Sequence, residues 1–235
     1  MWDAALAGDA SAMYNLGALY ANGEGVPVVK EAAAAWYRRA AEAGHTDAMF
    51  NLGYAHEKGE GVPADAEAAV AWYRRAADAG HASAMSNLGC MYVKGAGVSA
   101  DAEVAAAWYQ RAAAAGHPPA MYNLGCMHDG EKKFPVNTKT AAAWYRRAAE
   151  AGHPPAMYNL GCMLDSGEGV PVDAAAAIAW FRRAAGAGDV GAAAHLADNA
   201  ADGTSSLRRD TVAYRNAGLS MHAVGDPHTP TLCIG

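Results

Sequence analysis

Cysteine and histidine are the residues of this sequence best suited to metal binding or nucleophilic chemistry, and they recur with one spacing. Each copy lies 36 residues from the next: Cys90, Cys126 and Cys162, and His45, His81, His117 and His153. If every copy lies on its own helix pair, successive copies are at least ~8–10 Å apart, too far for a disulfide or a shared metal ion. We therefore predict no metal site, small half-buried cysteines in a reducing compartment, and histidines that lie in turns or cap helices.

Motifs for nucleophilic catalysis, phosphate binding, structural zinc or dinucleotide binding are also missing from the sequence. The carboxylates are scattered and follow the same period, as solvated helix faces and helix caps do. The net charge of −6 disfavours a nucleic-acid partner, because phosphate recognition requires a basic surface. We predict that the chain is not an enzyme, has no catalytic residues, and binds neither a cofactor nor nucleic acid.

An internal repeat of 36 residues sets all of these positions. The string Ala-Met-x-Asn-Leu-Gly begins at Ala12, Ala48, Ala84, Ala120 and Ala156. A tryptophan followed by a second aromatic residue keeps the same step at Trp36, Trp72, Trp108, Trp144 and Trp180. Five copies in one register predict one structural unit, repeated in space.

Within each unit the pattern predicts a helix A, a loop and a helix B. In the second unit, apolar and small residues from Ala48 to Ala55 share one face of a helix predicted at Thr46–Lys58. Gly53 lies inside this helix, where glycine costs roughly 1 kcal/mol relative to alanine. We interpret it as a position where the aromatic residue of helix B needs a surface without a Cβ atom. Helix B then carries Trp-aromatic-Arg-Arg, with the aromatic pair predicted inwards and the arginines outwards.

Side chains that can cap a helix precede helix B in four units: Asp65, Asp101, Asn137 and Asp173. Their oxygens can accept hydrogen bonds from unpaired backbone N–H groups of the first helical turn. Val29 occupies the position in the first unit, so its second helix is predicted to start less firmly.

The motif Ala-x-x-x-Leu-Gly-x-x-Tyr, followed by Gly-x-Gly-Val and Trp-Tyr-x-x-Ala-Ala-x-x-Gly, resembles the Sel1-like repeat, a relative of the tetratricopeptide repeat. The resemblance covers about residues 3–200. It implies an all-α fold, a right-handed α/α solenoid with helix A on the concave face and helix B on the convex face. It also implies a scaffold or adaptor that assembles other proteins.

On this basis we expect one solenoid over residues 1–202 and a degenerate capping helix and tail over 203–235. The repeat units fall at about 9–44, 45–80, 81–116, 117–152 and 153–188, with a partial sixth unit from 189. The fourth loop loses the Gly-x-Gly-Val signature and carries Lys132, Lys133 and Phe134. It is either a drifted surface loop or a secondary contact.

Rows of helix A residues are the candidates for partner binding, because the resemblance implies that they line the concave groove. One row has an asparagine in all five copies: Asn15, Asn51, Asn87, Asn123 and Asn159. An amide donates and accepts, so it can hold a peptide backbone; the alternative is a bond that fixes repeat geometry. Neighbouring rows add aromatic and acidic groups: Tyr14, Phe50, Tyr122, Tyr158 and Tyr54, then Glu57, Asp129 and Asp165.

We predict a non-enzymatic scaffold or adaptor whose groove binds a peptide or helix with apolar and basic residues. The main alternative is a permanent structural subunit of a large assembly. A remote one is a hydrolase-like activity, as proposed for cysteine-rich relatives. The chain has no apolar run of the ~18–20 residues that span a membrane and no secretory signal at its start. We therefore expect an intracellular, soluble protein that does not insert into a membrane, with the cytoplasm favoured over an organelle.

Overall fold

The computed structural model describes residues 1–130 and 135–201, with residues 198–201 described by their backbone alone. Within these ranges the chain forms twelve α-helices and no strand. They are α1 (Trp2–Leu6), α2 (Ala10–Asn22), α3 (Lys30–Glu42), α4 (Thr46–Lys58), α5 (Ala66–Asp78), α6 (Ala82–Lys94), α7 (Ala102–Ala114), α8 (Pro118–His128), α9 (Thr138–Glu150), α10 (Pro154–Ser166), α11 (Ala174–Gly186) and α12 (Val190–Ala201). The prediction of an all-α repeat fold is confirmed.

The even-numbered helices α2 to α10 are the A helices, and the odd-numbered helices α3 to α11 are the B helices. The chain divides into two compact units, Met1–Trp108 and Tyr109–Gly235. In the first unit, α2 packs on α3 and α4 on α5, while α3–α4 and α5–α6 contacts join successive hairpins. In the second unit, the hairpins α8–α9 and α10–α11 pack in the same way, and α12 packs on α11. Each hairpin therefore buries its apolar face against a neighbour.

Glycines inside the A helices set how closely the two helices of a hairpin approach. A Cβ atom built at these glycines would lie 2.5–2.8 Å from an aromatic ring of helix B. The pairs are Gly17 with Tyr37, Gly53 with Tyr73, Gly125 with Tyr145, and Gly161 with Phe181. The interpretation of these glycines as contact points for the helix B aromatic residue is confirmed.

The helix B caps also follow the prediction. The side chains of Asp65, Asp101, Asn137 and Asp173 accept hydrogen bonds from backbone N–H groups of the first helical turn, at 2.9–3.0 Å. Val29 makes no such bond at the start of α3. The first repeat therefore has the weakest helix B start among the four B helices α3, α5, α9 and α11.

The Gly-x-Gly loops after α4, α6 and α10 contact the repeat before them. Gly59 ends α4 in the left-handed conformation (φ +70°), as a C-cap glycine does. Gly61 also has a positive φ, and a Cβ atom there would collide with the backbone carbonyl of Lys30, at the start of the preceding helix B. The second glycine is therefore needed for close backbone contact between repeats.

The tryptophans of helix B differ from the prediction. The aromatic residue after each one is buried, but Trp36, Trp72, Trp144 and Trp180 are only half-buried. An arginine three residues later lies over each of these four rings, with its guanidinium carbon 4.2–4.5 Å from the ring centre. The prediction that both aromatic residues face inwards is wrong for tryptophan, which packs beneath an exposed cation.

Three sequence predictions lie outside the described residues: the contact role of Lys132, Lys133 and Phe134, the cap and tail at 203–235, and the boundary at 202. Nearby, α8 ends at His128, with Asp129 as its C-cap residue. The equivalent helix α4 extends to Lys58, the position equivalent to residue 130, so α8 ends two residues earlier in its repeat.

None of the helices within 1–130 and 135–201 has the length and apolar character that a membrane-spanning segment requires.

Candidate partner-binding face

The repeated histidines cap the A helices. The Nδ1 atoms of His45, His81 and His153 accept hydrogen bonds from the backbone N–H three residues on, at 3.1–3.3 Å. Asp9 and Asp189 do the same with their carboxylates at 2.8 Å, while His117 makes no side-chain cap bond. The predicted capping role is thus confirmed at five of these six positions. No cluster of three or more potential metal ligands occurs in the described part of the chain.

The capping histidines also support the predicted aromatic row. The ring of each stacks on the helix A aromatic residue of the preceding repeat, at 4.5 Å for Tyr14–His45 and 4.6 Å for Phe50–His81. Tyr122 and His153 stack in the same way at 4.9 Å. Each aromatic residue of the row also packs on the aromatic residue of helix B in its own hairpin, with ring centroids 5.6–5.8 Å apart. These aromatic side chains are therefore held firmly in place.

Three asparagines of this row lie near tyrosines of the preceding repeat and oppose the rise of their pKa. The pairs are Asn51 with Tyr14 and Tyr37, Asn87 with Tyr73, and Asn159 with Tyr122. Burial raises the pKa of these tyrosines, to about 12 for Tyr37. The contacts support the second interpretation of the row, in which the amides fix repeat geometry, and partner binding by these amides stays a prediction.

Two of the predicted acidic residues serve as acceptors inside the hairpin. The Tyr73 hydroxyl donates to Glu57 at 2.7 Å, and the Tyr145 hydroxyl donates to Asp129 at 3.1 Å. In the fifth repeat Phe181 replaces this tyrosine, and Asp165 is buried with 5% of its surface exposed. The acidic row is therefore partly internal rather than a fully solvated strip.

The thirteen predicted residues fall into seven that keep some exposed surface and six that are buried. In the first unit Asn15 is exposed, and Tyr14, Phe50, Asn51 and Tyr54 are half-buried. We call these five residues the helix A face of the first unit; Glu57 and Asp129 are also half-buried. Six predicted residues are buried: Asn87, Tyr122, Asn123, Tyr158, Asn159 and Asp165. A partner could reach those six only after a rearrangement.

The cysteine row is buried at all three positions. Cys126 and Cys162 are reduced thiols, as expected, and Cys126 lies 3.5 Å from the Tyr145 hydroxyl. Cys90 is disulfide-bonded, so the expectation of a reduced thiol is wrong at that position. Cys233 lies outside the described residues.

Two charged residues near the face occur at their phase in only one or two of the five repeats, and the repeat pattern therefore missed them. Asp47 has an exposed carboxylate 3.5 Å from Nε2 of His81. Burial of Tyr14 is the main cause of its raised pKa, and the negative charge of Asp47 raises this pKa further. Lys58 places its ammonium group 5.6 Å from the centre of the Tyr54 ring. Variation between repeats at these two phases is the signal that could have identified them.

Comparison with known proteins agrees with this architecture. A family model described as Sel1 repeat matches residues 10–45, 46–81, 82–117, 118–153 and 154–189. A protective antigen of uropathogenic Escherichia coli with an SLR fold is 31% identical, with a TM-score of 0.79, over 92% of this chain and 48% of the antigen chain. The present chain therefore spans about half of that protein.

Other solved structures give a similar result. A Sel1 repeat protein from Oxalobacter formigenes is 32% identical, with a TM-score of 0.77, over 90% of this chain and 84% of its own. An immunity protein from Pseudomonas aeruginosa shares the fold at 22% identity, with a TM-score of 0.54, over 90% of this chain and 80% of its own. Comparison with curated protein sequences found no match.

Proposed function

The chain belongs to the Sel1 repeat family, and we propose that it is a non-enzymatic scaffold or adaptor that binds a protein partner. Sel1 repeat proteins generally mediate protein–protein interactions. We place the binding surface on the helix A face of the first unit, which lies on α2 and α4, because the corresponding positions of α6, α8 and α10 are buried.

The observation that supports this proposal is a row of supported but incompletely buried aromatic rings. Tyr14 and Phe50 are each held between a histidine and a helix B tyrosine, yet both keep part of their surface exposed. Rings that are already ordered lose little conformational entropy when a partner binds. Tyrosine and phenylalanine with this arrangement are typical binding anchors.

The charges around these rings favour a partner with apolar and basic residues. Asp47 offers an exposed carboxylate beside the stack of Phe50 and His81, and Glu57 is half-buried one turn beyond Tyr54. An arginine or lysine of the partner can pair with Asp47 or lie over an aromatic ring, whereas Glu57 is already paired with Lys58 at 2.7 Å. The exposed amide of Asn15 can bond to the partner's backbone.

The test uses the full chain with Asn15→Ala and Tyr54→Ala together. Both side chains are on the open part of the face, and alanine already occupies the Tyr54 phase at Ala18. The matched control is Arg38→Ala, an exposed side chain on α3 of the same unit. Truncating Tyr122 and Tyr158 would be a poor test, because both are buried and their loss would destabilise the hairpins.

Affinity purification from native extract followed by quantitative mass spectrometry compares the three proteins. We expect a protein retained by the wild type and by Arg38→Ala to be lost, by tenfold or more, with the double variant. Circular dichroism should show equal helix content in all three. Equal retention by the double variant and the wild type would refute the location of the binding surface.

A further inference from the structure

The arginines that lie over tryptophan rings keep donors available for a ligand. In the second unit the guanidinium carbon of Arg147 is 4.4 Å from the ring centre of Trp144, and that of Arg183 is 4.2 Å from the ring centre of Trp180. Both arginines are exposed, and within the described part of the chain neither guanidinium forms a hydrogen bond or an ion pair. A guanidinium has five N–H donors in one plane. Each ring therefore holds a cation in place without occupying its donors.

A second exposed arginine precedes each of these two. The side chains of Arg146 and Arg182 also have no hydrogen-bond or ion-pair partner among the residues that the structure describes. Their helices α9 and α11 both pack on α10, and a Cβ atom at Gly169, in the loop before α11, would collide with the backbone of Thr138 at the start of α9. The two helices are therefore held in register. We call the following residues the helix B face of the second unit: Arg146, Arg147, Arg182 and Arg183.

Few acidic residues offset these arginines on their own helices. α9 has three basic residues and one acidic residue, Glu150, and α11 has two basic residues and no acidic one. In the first unit, by contrast, α3 and α5 each carry two acidic residues in addition to their arginines. Since the whole chain has a net charge of −6, the helix B face of the second unit is a local excess of positive charge on an acidic protein.

We propose that the helix B face of the second unit binds an acidic segment of a protein partner. A carboxylate of aspartate or glutamate can accept two parallel hydrogen bonds from one guanidinium. An arginine that is already positioned by an indole ring loses little side-chain freedom when it makes these bonds. This surface takes a ligand of opposite charge to the one proposed for the helix A face of the first unit, and it does not depend on that proposal.

Apolar groups beside the arginines favour a protein segment over a phosphate polymer or an anionic membrane. Ala143 and Ala179 are exposed one helical turn before the arginines, and the tryptophan rings beneath the stacked cations are half-buried. A peptide can cover these apolar groups and present carboxylates in the same contact, whereas a phosphate backbone has no apolar group to offer. The net charge of −6 and the exposed Glu150 also repel an extended anionic surface more than a short segment.

The test measures how tightly the full chain binds a labelled peptide of alternating glutamate and alanine, by fluorescence anisotropy at low salt. The test variant combines Arg147→Gln with Arg183→Gln. The matched control combines Arg39→Gln with Arg75→Gln, which removes the same charges from arginines that lie over tryptophans in the first unit. A third protein, Arg147→Lys with Arg183→Lys, keeps the charge but has no planar set of donors.

We expect the test variant to bind the peptide about tenfold more weakly than the wild type, and the control to lose less than about threefold. The lysine variant should also bind more weakly than the wild type, because one ammonium group cannot make the two parallel bonds. A further variant, Arg146→Gln with Arg182→Gln, should act in the same direction and covers the case in which the first loses helix content. Glutamine already occupies this phase at Gln110.

Equal losses in the test and control variants would overturn the proposal, because net charge alone would then explain the binding. A wild-type chain that does not bind the peptide would overturn it as well. Full affinity in the lysine variant would contradict the paired hydrogen bonds. The same protein is also titrated with a DNA duplex and with vesicles of phosphatidylcholine and phosphatidylserine, and tighter binding to either than to the peptide would refute the choice of a protein segment.

Discussion

The ring of Tyr145 lies directly against the backbone of Gly125. A Cβ atom built at Gly125 would be 2.5 Å from two ring carbons, far inside the ~3.5–4.0 Å at which carbon atoms pack. Tyr145 is buried and its hydroxyl donates to Asp129 at 3.1 Å, so the ring has little room to move. The absence of a Cβ atom at Gly125 in α8 therefore sets how closely α9 can approach. The same contact recurs in three other described repeats.

Replacing this glycine should destabilise the protein although it improves the helix. Gly125→Ala gains up to ~1 kcal/mol of helix propensity. It also forces an additional methyl group into a filled site, which typically costs 1–3 kcal/mol. We expect a net loss of stability, measured as a lower midpoint of urea unfolding.

The matched control is Gly186→Ala. Gly186 is a helical residue of α11, and a Cβ atom there would have no neighbour within 4 Å. This variant should be as stable as the wild type or more stable by up to ~1 kcal/mol. If both alanine variants were stabilised alike, the contact with Tyr145 would not be the reason for the glycine.

Val29→Asp should strengthen the start of α3. Val29 already has the extended backbone of a cap residue (φ −137°, ψ 94°), close to that of Asp65 (φ −150°, ψ 101°). Aspartate there can accept a hydrogen bond from the first turn, as Asp65 does from Ala68, which is worth ~1 kcal/mol. Thermal unfolding should show a higher Tm, and Asp65→Ala should lower the Tm by a similar amount. A Tm that does not rise would show that α3 is not limited by its cap.

Tyr73→Phe should measure the bond between the two helices of the second repeat. The hydroxyl donates to the Glu57 carboxylate at 2.7 Å, and hydrogen bonds to charged groups contribute ~1.5–3 kcal/mol. Phe181 at the equivalent position shows that the ring alone fits. We expect a loss in this range by urea unfolding, and a much smaller loss when Glu57→Gln is already present. Equal losses in both backgrounds would mean that Tyr73 and Glu57 are not coupled.

The cap formed by His81 should make stability depend on pH. Burial lowers the pKa of His81 below its usual 6.5, and the nearby Asp47 carboxylate opposes the shift. Only the unprotonated Nδ1 can accept the hydrogen bond from Ala84. Because the unfolded chain binds this proton more readily, the stabilisation is complete above pH ~6.5 and is lost as the pH falls through the lower pKa of the folded state.

His81→Asn keeps an N-cap acceptor but does not titrate. Between pH 7 and pH 5 the Tm of this variant should therefore decrease less than that of the wild type. The other histidines are present in both proteins, so the difference between the two curves isolates His81. Parallel curves would contradict the account of this cap.

Much of the fold could be predicted because one unit is copied without a slip in register. Repetition identifies a role even when a single residue would be ambiguous. Gly53 in one helix has many explanations, but a glycine at the same phase in every A helix, with an aromatic residue at a fixed phase in every helix B, predicts their contact. The caps at Asp65 and its equivalents, and the missing cap at Val29, follow by the same reasoning.

Exposure could not be predicted in this way, because it depends on what lies over a surface. Asn51 and Asn123 lie in the same Ala-Met-x-Asn-Leu-Gly motif, yet one is half-buried and the other buried. Periodicity assigns both to one face of helix A and contains no information on what covers that face. The half-exposed tryptophans were missed for a related reason, since a ring beneath an arginine and a ring in the core are equally apolar in the sequence.

Site-specific photo-crosslinking tests the central claim most directly, that the helix A face of the first unit binds a protein partner. A photoreactive phenylalanine analogue replaces Tyr54 in one version of the full chain and Arg38 in another, and each is irradiated in native extract. We predict a discrete crosslinked protein from position 54 and none from position 38. A crosslink from position 38 alone, or no crosslink from position 54, would contradict the claim.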